Sequence, residues 1–331
     1  MTGIPIGVAR TRRRLRWLLS IVVVANLAAV GLLAAPSQAW GVSRCSGTAE
    51  NLTIFGDLTV PEGASCALVN TRVIGDVEVR AEANLTLDAS KVWGDLTVRA
   101  QGFLDSIGSS VVGTTRLRDA FGAVLEGSEL RRVDVRGAGF LISDGSTHRS
   151  DLDSRNGQTV VLSSRITGDL NTTADLLTDL RDSVVTGRLS VAGAQFGSVV
   201  CRSEIDGNAD LAGNLDLIQL GDGAFVGCEF NVFGRDVGLR DNLADIQING
   251  NVIRGDLTCT GNDPAPTGFD NRIRGAATGQ CAGLAEAGAP AAGGFSSPEP
   301  AGARIAPLQA RADARAGAAQ AAAAAAGRAN L

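Results

Sequence analysis

A five-residue phrase returns about every nineteen residues and limits what this chain can fold into. It reads Gly56-Asp57-Leu58-Thr59-Val60, then Gly75-Asp76-Val77-Glu78-Val79, then Gly94-Asp95-Leu96-Thr97-Val98. Weaker copies begin at Gly113, Arg131, Ser150, Gly168, Gly187, Gly207 and Gly234, before a clear one at Gly255-Asp256-Leu257-Thr258-Cys259. Self-similarity at a fixed period marks a stack of like units, none able to bury a core alone.

Within the phrase the third and fifth positions are apolar (Leu58/Val60, Val77/Val79, Leu96/Val98, Val133/Val135, Leu189/Val191) and the second and fourth are mostly polar. That is period two, a strand with one buried face. A second apolar cluster follows, as at Leu85-Thr86-Leu87 and Val160-Val161-Leu162, and a third precedes the next glycine, as at Val73-Ile74 and Val92-Trp93. No amphipathic stretch is long enough to cover a sheet, which excludes βαβ units. The pattern predicts an all-β, single-stranded parallel β-helix, a β-solenoid of about 19 residues and three short strands per coil. The crossover preference makes it right-handed. About twelve coils at ~4.8 Å give a rod of roughly 55–60 Å. The leucine-rich repeat frame is absent, and Asn208-Ala209-Asp210-Leu211 resembles one pentapeptide unit in a chain with no period of five.

The two ends read differently. Arg10, Arg12, Arg13, Arg14 and Arg16 precede an apolar run from Trp17 to Leu33, and Ser37-Gln38-Ala39 offers small residues for cleavage. Residues 1–39 are expected to be a signal peptide, the alternative being a retained membrane anchor. Thr11-Arg12-Arg13-Arg14-Leu15 loosely resembles a twin-arginine signal. The β-helix is expected over 40–283. Residues 284–331 are rich in Ala, Gly and Pro, and are expected to be a disordered tail in which only Ala321 to Ala326 has helical character.

All six cysteines follow the leader. An even count in an exported chain favours disulfides, and order along the chain suggests Cys45–Cys66, Cys201–Cys228 and Cys259–Cys281, one of fifteen connectivities. No CxxC occurs and His148 is the only histidine, which argues against zinc. A net charge of −5 gives no support to nucleic-acid binding.

Three columns emerge when the coils are aligned. Position six reads Arg80, Arg99, Arg118, Arg136 and Arg155, a stripe suited to an anionic envelope polymer unless Glu78, Asp134 and Asp153 neutralise it. Position two supplies Asp57, Asp76, Asp95, Asp151, Asp169 and Asp256, either a calcium ladder or, more simply, turn residues. Asp144, His148, Arg149, Asp151 and Asp153 form the densest cluster for glycan-cleaving chemistry, and Asp175, Asp179 and Asp182 a second one. Tyrosine is absent, and beyond the leader only Trp40 and Trp93 remain as indole platforms, which argues against a sugar groove. Two acceptor-like triplets, Asn51-Leu52-Thr53 and Asn84-Leu85-Thr86, fall in repeat strands and carry little weight.

The closing stretch Gly255-Asp256-Leu257-Thr258-Cys259 through Asn262-Asp263-Pro264-Ala265-Pro266-Thr267-Gly268 to Gly279-Gln280-Cys281, with Gly63-Ala64-Ser65-Cys66, resembles uncharacterised secreted repeat proteins of high-GC Gram-positive bacteria. The likeness covers most of 45–283 and implies export and a β-helix, but no reaction. The coils are also similar to those of bactofilins, which polymerise end to end; this chain departs from them in its leader and its cysteines. The expected protein is therefore an exported, monomeric β-helix without cofactor or metal. Its expected role is structural or ligand-presenting, in the cell envelope or extracellular space, with an anionic polymer as partner. A carbohydrate-active enzyme and a self-assembling filament are the alternatives.

Overall fold

Each period of the sequence closes one three-sided coil. In the coil that starts at Asn84, the strand Asn84–Asp88 forms one side, and Ala89 (φ 48°) turns the chain out of it. Lys91–Val92 and Leu96–Val98 form the second and third sides, hinged at Gly94-Asp95. Gln101 (φ 55°) then turns the chain into Phe103–Ile107, which pairs with Asn84–Asp88 one coil later. Repetition builds a 12-stranded sheet (sheet B) and a 23-stranded sheet (sheet A) whose two facets meet at the Gly-Asp bend. The strands pair in parallel between successive coils, making a β-solenoid of about 12 turns. A computed structural model describes residues 41–284, 300 and 302–331. The expected leader over 1–39, with its apolar run and cleavage site, lies outside the described residues. Among those described, no helix is long and apolar enough to cross a membrane.

The interior is a stack of identical slots. Leu58, Val77, Leu96, Val133 and Leu152 fill one column and Val60, Val79, Val98, Leu117 and Val135 another, all buried. At the corner after sheet B, a buried hydroxyl or amide ladder runs from coil to coil. The backbone N–H of Thr71 donates to Ser90 Oγ, that of Ser90 to Ser109 Oγ, and so on through Ser128, Ser146, Ser164, Ser183 and Ser203. The same slot then holds Asn231, Asn251 and Asn271, whose Oδ1 atoms accept in turn. A tight corner leaves an N–H without a strand partner, and a short polar side chain from the next coil satisfies it.

The Gly-Asp phrase has a similar cause. Asp57 Oδ1 accepts the N–H of Asp76 (2.9 Å), and Asp76 Oδ1 accepts that of Asp95 (2.8 Å). The relation repeats from Asp95 to Thr114, Asp151 to Asp169, Asp169 to Arg188, Asp236 to Asp256 and Asp256 to Ala276. A Cβ on Gly75 would stand 2.8 Å from Asp57 Oδ1 and 2.5 Å from the Gly56 carbonyl carbon, so this coil needs glycine at its bend. The tenth copy starts at Arg235-Asp236, not at Gly234: pairing of Ala209 with Val237 sets Gly207 beside Arg235.

The disordered tail expected over 284–331 is not what residues 302–331 form. Ala306–Ala326 is an α-helix (α1) laid along the outer face of sheet B. Leu308, Ala312, Ala316, Ala319 and Ala323 are buried, a helical stripe of mostly small side chains. Leu308, Ala312 and Ala316 meet a strip assembled from separate coils: Phe103, Phe140, Ile142, Val160 and Leu177. The fit is also one of length. A 21-residue helix is ~31 Å long, and six coil steps from Leu177 back to Ser65 cover ~29 Å. Gly122 makes room in the strip, since a Cβ there would meet the Phe140 ring at 2.6 Å. Arg304 anchors the start of the helical segment on buried Asp179 (3.3 Å), which Arg181 also contacts (2.9 Å).

The first edge of sheet B is closed by the chain's own tail. Beyond α1 the Thr48 N–H donates to the Gly327 carbonyl (2.8 Å) and the Ala329 N–H to the Thr48 carbonyl (2.9 Å), so the tail pairs with the first strand of sheet B. Unpaired edges invite further strands. The three disulfides are those suggested by order along the chain: Cys45–Cys66, Cys201–Cys228 and Cys259–Cys281, with Cα separations of 5.6, 5.6 and 5.3 Å. The first and third staple the terminal coils, and the second tethers an enlarged coil in which 28 residues separate Ser203 from Asn231.

Candidate functional site

The facet of sheet A after the Gly-Asp bend carries the arginine column. Pairing of Val79 with Val98, Val98 with Leu117, Arg118 with Arg136 and Arg136 with Arg155 stacks Arg80, Arg99, Arg118, Arg136 and Arg155 in register. Two carboxylates serve four of them. Glu78 contacts Arg80 (3.5 Å) and Arg99 (3.0 Å), and Asp134 contacts Arg118 (2.6 Å) and Arg136 (3.3 Å). Burial pushes the Asp134 carboxyl up, but Arg118 and Arg136 outweigh it and hold Asp134 below the usual range. Arg155 has no ion pair among the described residues. Beside it, a shallow groove of about 250 Å³ is lined by Arg132, Arg136, Ser154, Asn171 and Thr173. Asp153, expected to neutralise the column, instead takes Arg132 (2.6 Å) and the Asn171 amide. The facet is thus a lattice of shared charges, with guanidinium groups in excess along one line.

The cluster considered for glycan cleavage does not come together. Asp144 ends a strand of sheet B and is exposed, whereas Asp151 and Asp153 belong to the outer side of sheet A. His148 points into the core between the sheets, fully buried, its Nε2 2.8 Å from Ser143 Oγ. Burial pushes its pKa down to about 4. Asp144 is raised by burial first, and then by Glu126 and Asp182. Neighbours in a strand point to opposite sides, so a cluster dense in sequence is dispersed. Arg149 leaves the cluster altogether and pairs with Glu129 (2.6 Å).

The second acidic cluster divides the same way. Asp175 is buried and accepts from Ser154 Oγ, Thr159 Oγ1 and the Gly157 N–H; burial raises its pKa. Asp179 holds the tail, and Asp182 pairs with Arg202 at the surface. The position-two aspartates are engaged by neighbouring backbone N–H groups, the simpler of the two readings, and no His/Cys/Asp/Glu group with metal-binding geometry occurs among the described residues. Asn84 is buried, donating to Ser65 Oγ and accepting from Arg315, while Asn51 lies in a turn (φ 56°) and not in a strand.

On the facet before the bend, the apolar pair that precedes each of Gly56, Gly75, Gly94 and Gly113 buries its first member and turns its second outward. Pairing of Phe55 with Ile74 and of Val73 with Val92 and Val92 with Val111 aligns Phe55, Ile74, Trp93 and Val112 in one outward column. Phe55, Trp93 and Val112 are 41%, 48% and 40% exposed. The signal was available: each residue immediately precedes a phrase glycine. No protein-family model matches this chain, and no curated protein or solved structure matches it either.

Proposed function

We propose that this chain is an exported, monomeric, non-enzymatic rod of the cell envelope or extracellular space that holds a linear anionic polymer along the Arg80–Arg155 column. One observation carries the reading: two carboxylates are shared among four stacked arginines, and Arg80, Arg99 and Arg136 remain more than half exposed. Guanidinium donors repeated at the coil spacing of ~4.8 Å meet a polymer whose anionic groups also repeat along a line. The basic segment before the apolar run and three disulfides support export to an oxidising compartment. The paired first edge of sheet B supports a monomer over an end-to-end filament.

Reversing Arg99, Arg118 and Arg136 to glutamate is expected to weaken binding to polygalacturonate or polyphosphate by tenfold or more. Binding of the unmodified protein should fall steeply with added salt. Affinity for both polymers that is unchanged in the triple variant would refute the reading.

A further inference from the structure

We infer that the Phe55–Ile74–Trp93–Val112 column is a stacking platform for an uncharged linear glycan lying along the solenoid axis. Four apolar side chains stand in register on an open facet, three of them about half exposed. The other large apolar strip that runs along the axis, on sheet B, is covered by α1. Contiguous exposed apolar surface marks a binding face in a folded protein.

The flanks decide the ligand. On one side stand Arg72 and Lys91, paired in register, with the Lys91 Nζ 3.9 Å from the Trp93 ring centroid. On the other side, across the side-chain-free lane of Gly56, Gly75 and Gly94, stand Asp57, Asp76 and Asp95. Each of these spends Oδ1 on the next coil, which fixes the carboxylate in place. Asp95 also spends Oδ2 on Arg116 (2.6 Å), so Asp57 and Asp76 are the ones left to take a ligand's hydroxyls. A polyanion on this facet would face a row of carboxylates, and a polycation would face Arg72 and Lys91. A polyhydroxylated chain without charge satisfies both flanks, donating to the carboxylates and accepting from the cations, while its ring faces lie on the apolar floor.

Spacing agrees with that occupant. Successive coils are ~4.8 Å apart, so the two aromatic members, Phe55 and Trp93, stand ~10 Å apart. One hexopyranose ring of an extended β-linked chain then lies over each coil. A groove of about 430 Å³ runs beside the column past Asn70, Arg72, Lys91, Ser110 and Glu129, giving further hydrogen-bonding groups along the same line. This platform uses none of the arginines of the polymer reading above and stands or falls apart from it.

Titration of the purified protein with cellohexaose and chitohexaose, followed by calorimetry, tests the inference. At least one is expected to bind in the millimolar range or tighter. Trp93→Ala and Phe55→Ala should each weaken it tenfold or more, and Arg72→Ala with Lys91→Ala by a smaller factor. Arg188→Ala, an exposed position on a later coil, should leave it unchanged. Circular dichroism checks that the exposed substitutions leave the fold intact. Absence of binding by both sugars, or binding that survives Trp93→Ala, overturns the inference. So does light scattering that shows a dimer abolished by Trp93→Ala, since a second copy would then be the occupant. Polygalacturonate binding that is lost in Trp93→Ala, without binding of either neutral sugar, also overturns it.

Discussion

The two sheets of this solenoid are built from the same repeat yet end in opposite states. Sheet B carries an apolar strip over five coils, and the chain's own C-terminal helix covers it. Sheet A carries shared charges on one facet and a short apolar column on the other, and no described segment covers either. Repetition fixes the spacing of side chains but not their fate; that depends on what each column presents. A column of phenylalanine and branched aliphatics drew in a helix of small residues. A column of arginines and carboxylates stayed in water.

The most severe way to disturb the covered side is at Asp179. Its carboxylate is fully buried between Arg181 and Arg304. Asp179→Ala leaves buried guanidinium charge unpaired and is expected to cost about 3–5 kcal/mol in urea unfolding. A loss below about 1 kcal/mol would mean that α1 does not rest on the sheet in solution.

The space between the sheets gives the next effect. His148 on sheet A reaches Ser143 on sheet B, and burial lowers its pKa from 6.5 to about 4. The unfolded chain therefore takes up a proton that the folded one refuses. Stability from this group is complete above pH 6.5 and is lost as pH falls towards 4, by on the order of 3 kcal/mol. Unfolding midpoints between pH 7 and 4 should drop in the native protein and flatten in His148→Asn; parallel curves would contradict the burial.

The smallest effect lies on the open side. Arg118→Ala breaks the Asp134 contact on a partly exposed facet and is expected to cost no more than about 1 kcal/mol. A loss as large as that at Asp179 would erase the contrast between the sheets.

Most of the fold was legible because a strand with one buried face writes period two, and a solenoid writes it again at a fixed interval. The disulfides followed from order, since each pair joins neighbouring coils. Two features were not legible for opposite reasons. Asp144, His148, Asp151 and Asp153 are close in sequence, but strand alternation sends His148 inward and the others outward on two different sheets. Phe103, Phe140 and Leu177 are far apart in sequence, yet stacking makes them one surface. The tail escaped for a related reason: alanines read as low complexity until the strip they fit is known. Phe55 and Trp93 follow the buried Ile54 and Val92, and an apolar pair before a glycine carries no sign that its second member faces water.

Hydrogen exchange read by mass spectrometry on the full chain tests most directly whether the protein covers sheet B and its first edge with its own tail. Amides over 306–329, and that of Thr48, should be protected to the same degree as the strands Asn84–Asp88 and Phe103–Ile107 beneath them. Exchange of 306–329 at the rate of an unstructured chain, with those strands still protected, would show that the strip and the edge are bare.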